Sequence, residues 1–395
     1  MKSEELKLEI KRYFFAIVFA GCFFVGLQAQ TDSIKARLDT LMQDPLLERT
    51  QLGLMVYDLT ADTTLYCFGA KQQLRPASTM KLLTAVTAID QLGGEYKYKT
   101  SLHYTGEVKD SVLIGDLYCV GGMDPMFDEF NMNTFVRSVC ALGIDSIHGR
   151  LVAVTSFKEE NLLGEGWCWD DDNPQLSPLL VERKNEFMNV FSEKLRASGV
   201  ALDAPVTTGA LPKQTLNLCT VIRPLKEILE PMLKESDNLY AESMFFQIAA
   251  QTGSHPAKAV HARQQIKTEL GKAGVKDIMY KIADGSGLSL YNYVTPELMV
   301  KLLTYAYRKS DIIYYLYSAL PIAGEDGTLK KRMVKTPAQG RVRAKTGTLT
   351  GVSSLAGYCP TSDGHMLAFC IINQGVMKNS EGREFQDRVC TILCE

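Results

Sequence analysis

The chain has 395 residues, room for about two domains of ordinary size. Its 46% hydrophobic and 22% charged content is that of a globular protein, and a net charge of -2 lacks the basic excess of a nucleic-acid binder. The five His are scattered without ligand spacing and the ten Cys form neither a metal motif nor a regular disulfide framework, so no metal, no cofactor and no Ser-His-Asp triad is expected.

The N-terminus reads as an export segment. Lys11-Arg12 precede a continuous apolar or small stretch, Tyr13–Leu27, which is short for a membrane span of ~20 residues. Residues 1–29 are therefore expected to be a signal peptide, cleaved after Ala29, with a periplasmic product. An anchoring helix, or a lipoprotein site at Cys22, are the alternatives.

Residues 31–45 follow as a short amphipathic helix through Ile34, Leu38 and Leu41. Leu52–Leu59, the turn Ala61–Thr64 and Leu65–Phe68 read as a hairpin. Arg75-Pro76-Ala77-Ser78-Thr79-Met80-Lys81 then runs into a stretch so rich in apolar residues that both stripes of a helix are filled. Such a helix is buried, and Gly93-Gly94 should end it. Ser78 and Lys81, three apart, fall on one face of its first turn. A lysine at the start of a buried helix is costly unless something uses it.

Residues 101–214 change character, and short strands such as Val112–Ile114 and Leu117–Val120 alternate with turns. Gly121–Pro125 is a tight turn, Phe135–Leu142 a helix and Gly149–Val154 a strand. The loop Gly164–Asp171 holds both tryptophans, suited to binding sugar or peptide but more simply to anchoring the loop on a core. This stretch is expected to be an inserted domain within a catalytic domain made of 30–100 and 215–395.

Beyond it, Leu225, Ile228, Leu229, Met232 and Leu233 form one helix face. The turn Ser236-Asp237-Asn238 leads into a second helix, Leu239–Ala249. Asp284–Ser289 and Leu320–Thr328 are loops, with a capped helix Thr295–Tyr307 between them. Arg341–Lys345 is a strand followed by Thr346-Gly347. Val352–Cys359 and Met366–Ile372 are strands, and 383–394 is a closing helix. Two N-terminal and three C-terminal strands make a five-stranded antiparallel sheet between helices, an α+β fold.

Three short motifs thus occur in order: Ser78-Thr79-Met80-Lys81, Ser236-Asp237-Asn238 and Lys345-Thr346-Gly347. That set belongs to penicillin-binding proteins and class A β-lactamases. Gly122–Pro125, Gly166–Asp171, Ser236–Glu242, Asp284–Ser289, Ala323–Leu329 and Gly340–Leu349 narrow it. With them the chain resembles the exported D-alanyl-D-alanine carboxypeptidase/endopeptidases of peptidase family S13, similar to penicillin-binding protein 4. Two departures stand out. Residues 172–190 pass almost directly into a helix where that family carries a further strand-rich segment, and Leu290 stands where it usually has Arg.

The resemblance implies a serine penicillin-recognising, β-lactamase/transpeptidase-like domain acting on peptidoglycan stem peptides ending in D-Ala-D-Ala. Ser78 would be the nucleophile and Lys81 its base, made neutral by burial and by the nearby Lys345. Ser236 and Asn238 would relay a proton and hold the substrate amide. Lys345 and Thr346 would meet the terminal carboxylate, Gly347 would let the substrate backbone pass, and the N–H groups of Ser78 and Thr348 would form an oxyanion hole. β-Lactams are expected as covalent inhibitors. A catalytically silent β-lactam-binding scaffold and a β-lactamase are the rival readings. No oligomeric state follows from the sequence.

Overall fold

The computed structural model describes residues 33–170, 173–202, 205–275 and 280–395. The expected export segment, with its cleavage site and Cys22, lies outside them. Among the described residues no helix is long and apolar enough to cross a membrane.

Helix α1 (33–41) is followed by the hairpin β1 (Gln51–Asp58) and β2 (Thr63–Phe68). A 3-10 turn, Ala77–Met80, leads into α2 (Lys81–Leu92), which ends at Gly93 with φ +82°. Ser78 therefore lies in the 3-10 turn and not in the first turn of the α-helix. The reason is local: Ala77 takes φ +48°, a left-handed value unusual for alanine, so the chain cannot be helical before Ser78. Every residue from Lys81 to Ile89 is buried.

The next strands are β3 (Lys97–Tyr104), β4 (Glu107–Lys109), β5 (Val112–Ile114) and β6 (Leu117–Val120). Helix α3 (Glu129–Cys140) starts six residues before the apolar run expected from Phe135, because Asp128 and Asn131 form a capping box. β7 (Ser146–His148), β8 (Leu151–Val154), α4 (Phe187–Ala197), β9 (Ala201–Leu202), β10 (Val206–Thr208) and β11 (Leu216–Pro224) complete this stretch. It forms a five-stranded sheet ordered β10-β8-β6-β3-β11 and a four-stranded sheet ordered β4-β5-β7-β9. Phe127, Phe187 and Phe191 each pack edge-on with Phe135 in a core of its own.

Helices α5 (Leu225–Lys234), α6 (Asn238–Ala250), α7 (Ala259–Lys272), α8 (Pro296–Tyr307) and α9 (Ser310–Ala319) follow. Strands β12 (Arg343–Leu349), β13 (Val352–Pro360) and β14 (Met366–Gln374) and helix α10 (Asn379–Leu393) close the chain. The main sheet is antiparallel and ordered β12-β13-β14-β1-β2, so the chain's two ends pair as expected, Leu54 opposite Ile371. One face packs on α8 and the Ala77–Met80 turn, with α2, α5 and α6 in the same hydrophobic core, and the core on the other face includes α1 and α10. β12 extends four residues beyond Lys345, because Thr346, Gly347, Thr348 and Leu349 all keep register with β13. Among the described residues β13 is its one strand partner; on the outer edge Arg343 bridges Ile322, and from Lys345 onward that edge has no strand partner.

Candidate active site

Three elements converge where α2 begins. In a 3-10 turn, side chains three apart eclipse, and Lys81 Nζ lies 3.0 Å from Ser78 Oγ. The same Nζ donates to Asn238 Oδ1 at 2.7 Å and to the carbonyl of Ser286 at 2.8 Å. Asn238 is there because α5 ends at Glu235, Ser236 turns the chain with φ +65°, and Asp237 caps α6 by accepting from the N–H of Leu239. From the sheet edge, Lys345 Nζ donates to Ser236 Oγ at 2.8 Å and to the carbonyl of Thr346 at 2.7 Å. Thr346 Oγ1 bonds Thr328 Oγ1 at 2.8 Å. Thr348 is exposed beside them on the open edge.

The structure thus gives two sets of contacts, Ser78–Lys81–Asn238 and Ser236–Lys345–Thr346, which share the turn that carries Ser236 and Asn238. Gly347 has a different neighbourhood from the one expected. A Cβ there would sit 2.8 Å from the carbonyl of Pro76, 3.0 Å from Ser78 N and closer still to Ser354 Oγ. Glycine is required by the turn that carries Ser78, whatever substrate does. Ser354 Oγ in turn donates to the carbonyl of Pro76, tying that turn to β13.

Both lysines are fully buried. Burial pulls the Lys81 amine down to about 8, while Asp284, Glu242 and Asp237 pull the other way. Burial, then the charge of Lys81, hold Lys345 well below the ordinary lysine value. Desolvation is the largest cause for both amines, and a charge on either disfavours a charge on the other. A neutral amine has two N–H groups and one lone pair. With the N–H groups on Asn238 and Ser286, the lone pair faces Ser78 Oγ. The arrangement can take a proton from that hydroxyl.

Residues 34–182 and 175–395 match the model of the D-Ala-D-Ala carboxypeptidase 3 (S13) family. The chain belongs to the S13 family. A D-alanyl-D-alanine carboxypeptidase of Actinomadura sp. (strain R39) is 27% identical, over 88% of this chain and 82% of its own. D-alanyl-D-alanine carboxypeptidase DacB of Haemophilus influenzae is 25% identical, over 82% of this chain and 85% of its own. The crystal structure of penicillin binding protein 4 from Haemophilus influenzae superposes with a TM-score of 0.83 at 24% identity, covering 89% of this chain and 98% of that one. The two matched stretches overlap at 175–182, inside the segment read as shortened.

In this S13 chain the tryptophan loop divides its roles. Trp167 Nε1 donates to buried Asp284 at 2.8 Å, an anchor, whereas Trp169 is 85% exposed. The side chain of Leu290 is exposed, and its carbonyl accepts from Arg75 Nε at 3.1 Å. Sequence reasoning assigned no role to Ser286, Glu242, Thr328 or Ser354. A backbone acceptor such as the Ser286 carbonyl leaves no trace in residue identity. Glu242 did leave one: it stands alone as an acid in the apolar run of α6, one turn from Asn238 on the same face.

Proposed function

We propose that this chain hydrolyses the bond between the two terminal D-alanines of peptidoglycan stem peptides through an acyl-enzyme on Ser78. The observation that carries this is the buried Lys81 amine, 3.0 Å from Ser78 Oγ with its other two contacts fixed. Neutral Lys81 takes the hydroxyl proton as Ser78 Oγ attacks the penultimate carbonyl. The backbone N–H groups of Ser78 and Thr348 stabilise the oxyanion, each donor worth about 2.7–4 kcal/mol. The proton passes through Ser236 to the departing D-alanine amine. Water then attacks the ester, giving a free carboxylate and restoring the Ser78 hydroxyl.

The substrate adds as a strand along the free edge of β12. Lys345 and Thr346 receive its terminal carboxylate, and Asn238 holds its amide. Residues 30–100 and 215–395 would supply this chemistry, with 101–214 as an inserted domain flanking it. Export on residues 1–29 would bring the enzyme to its substrate in the periplasm. β-Lactams, which mimic the same terminus, would acylate Ser78 and remain bound.

A second reading, cleavage of peptide cross-links, is favoured by a polar groove of about 610 Å³ beside Asn238, lined by Gln175, Arg183, Lys184, Glu186 and Asp237. It offers room for a leaving group larger than D-alanine.

The test is incubation of the protein with a purified muropeptide mixture and weighing of the products. Loss of one D-alanine from pentapeptides, absent in Ser78→Ala, is the expected result. Stable labelling by a fluorescent penicillin with no D-alanine release would favour a silent scaffold, and rapid penicillin turnover a β-lactamase.

A further inference from the structure

Glu242 is 1% exposed and has no contact with the face open to substrate in the mechanism above. It lies on α6 one turn beyond Asn238, and its Oε1 accepts from the N–H of Gly285 at 3.0 Å and of Ser286 at 2.7 Å. Those two N–H groups belong to the loop whose Ser286 carbonyl receives Lys81 Nζ. Two other supports hold the same stretch from its other groups, Asp284 through the Gly287 N–H of the Ser286 peptide unit and Thr84 through the Gly285 carbonyl. Thr84 Oγ1 donates to the carbonyl of Gly285, and Asp284 accepts from the N–H groups of Gly287 and Ser289, from Asn292 Nδ2 and from Trp167 Nε1. Glu242 holds the two N–H groups that lead into Ser286, on the side away from Asp284, and one helix thus helps position both acceptors of the amine, Asn238 by side chain and Ser286 through Glu242.

We infer that Glu242 is a positioning residue for the reaction: it fixes the Ser286 carbonyl, and so aims the Lys81 lone pair at Ser78. The inference rests on Lys81 being the base. A neutral carboxylic acid performs this task as well as a carboxylate, since its carbonyl oxygen has two lone pairs. The neutral form has a further advantage, because a negative charge here would favour the ammonium form of Lys81. The groups facing Glu242 are Lys81 from α2, Asp284 from the loop and Lys158 from the stretch before the tryptophan loop, with Glu159, Glu165, Lys258 and Arg263 around a shared cavity of about 400 Å³. Burial, then the charge of Asp284, raise the acid to about 8, so it is mostly protonated at neutral pH.

The test compares Glu242→Leu and Glu242→Gln by single-turnover acylation with a fluorescent penicillin and by D-alanine release across pH. Glu242→Leu frees the loop and should lower kcat about 10²-fold, the cost of a small misplacement of a reacting group, with KM little changed. Glu242→Gln keeps the acceptor oxygen and cannot ionise. It should restore most of the rate and move the acid limb of the profile to lower pH. Wild-type kcat in Glu242→Leu would overturn the inference. So would a Glu242→Gln enzyme as slow as a loop-loosened one, or with its acid limb moved to higher pH. If Glu242→Leu does not fold, Glu242→Gln decides alone. Lys81→Ala separates the two layers: if it acylates at the wild-type rate the base assignment fails, whereas an inert Lys81→Ala beside a normal Glu242→Leu removes only the role given to Glu242.

Discussion

Lys345 Nζ donates to Ser236 Oγ over 2.8 Å, joining a sheet edge to an inter-helix turn 109 residues away in sequence. This contact ties β12 to the turn that carries Asn238. It also constrains the turn, because Ser236 holds φ +65°, a conformation that costs an L-residue roughly 1–2 kcal/mol. Ser236→Gly accommodates that backbone and removes only the hydroxyl. Lys345 would keep the Thr346 carbonyl as an acceptor. Ser236→Gly should therefore fold and lose about 10²–10⁴-fold in D-alanine release, the usual worth of a positioned proton-transfer group. Turnover at the wild-type rate, with circular dichroism unchanged, would exclude Ser236 from the relay.

The pH dependence follows from Lys81. A base works in its neutral form, so activity rises with pH through the base's own titration. With the amine at about 8, kcat/KM of the free enzyme should climb with a unit slope below pH 8 and level above it. At pH 7 about one molecule in ten then carries a neutral Lys81, against roughly four in ten thousand for an unshifted lysine near 10.4. Lys81→Arg keeps a cation that does not deprotonate in this range, and should be nearly inert at every pH. A Lys81→Arg enzyme with an unchanged profile would take the base role away from this residue.

Gly347→Ala tests how closely β12 and the Ser78 turn are fitted. The added methyl would meet the Pro76 carbonyl, Ser78 N and Ser354 Oγ, none of which can retreat without moving the turn. Overpacking of a closed site costs about 1–3 kcal/mol, and the displaced Ser78 should acylate about 10²-fold more slowly. Stopped-flow acylation and a thermal melt read the two effects separately. A variant that melts normally and acylates normally would mean the turn has slack that the geometry denies.

Much of this site was legible in the sequence because it rests on spacing. Ser78 and Lys81 three apart, a polar turn between two apolar helices, and a strand ending in Lys345-Thr346-Gly347 are local patterns. What was not legible is tertiary. The 3-10 character of the Ser78 turn comes from the left-handed Ala77, which no propensity favours. The extension of β12 to Leu349 depends on pairing with β13, which is a tertiary contact. A second reason for Gly347 was hidden, because the Pro76 carbonyl that crowds it is remote in sequence. The Ser286 carbonyl was invisible, as backbone acceptors are, and with it the role inferred for Glu242.

The tryptophan loop yields a prediction about stability. Trp167 Nε1 donates to Asp284, a 1% exposed carboxylate that also orders the Gly287 and Ser289 amides. Trp167→Phe keeps an aromatic ring in place and deletes that donor. A hydrogen bond to a charged group is worth about 1.5–3 kcal/mol, and Asp284 retains its three donors from within the loop. Trp167→Phe should therefore lower Tm by several degrees and leave penicillin acylation within a few-fold of the wild type. Trp169→Phe, at a side chain 85% exposed, should change neither. The pair also reports by fluorescence: emission from Trp167 alone, in Trp169→Phe, should be blue-shifted and shift red at the melting transition. A Trp167→Phe protein as stable as the wild type would mean that solvent replaces the indole at Asp284, and that the loop is held by the internal hydrogen bonds of Asp284 and Asn292 alone.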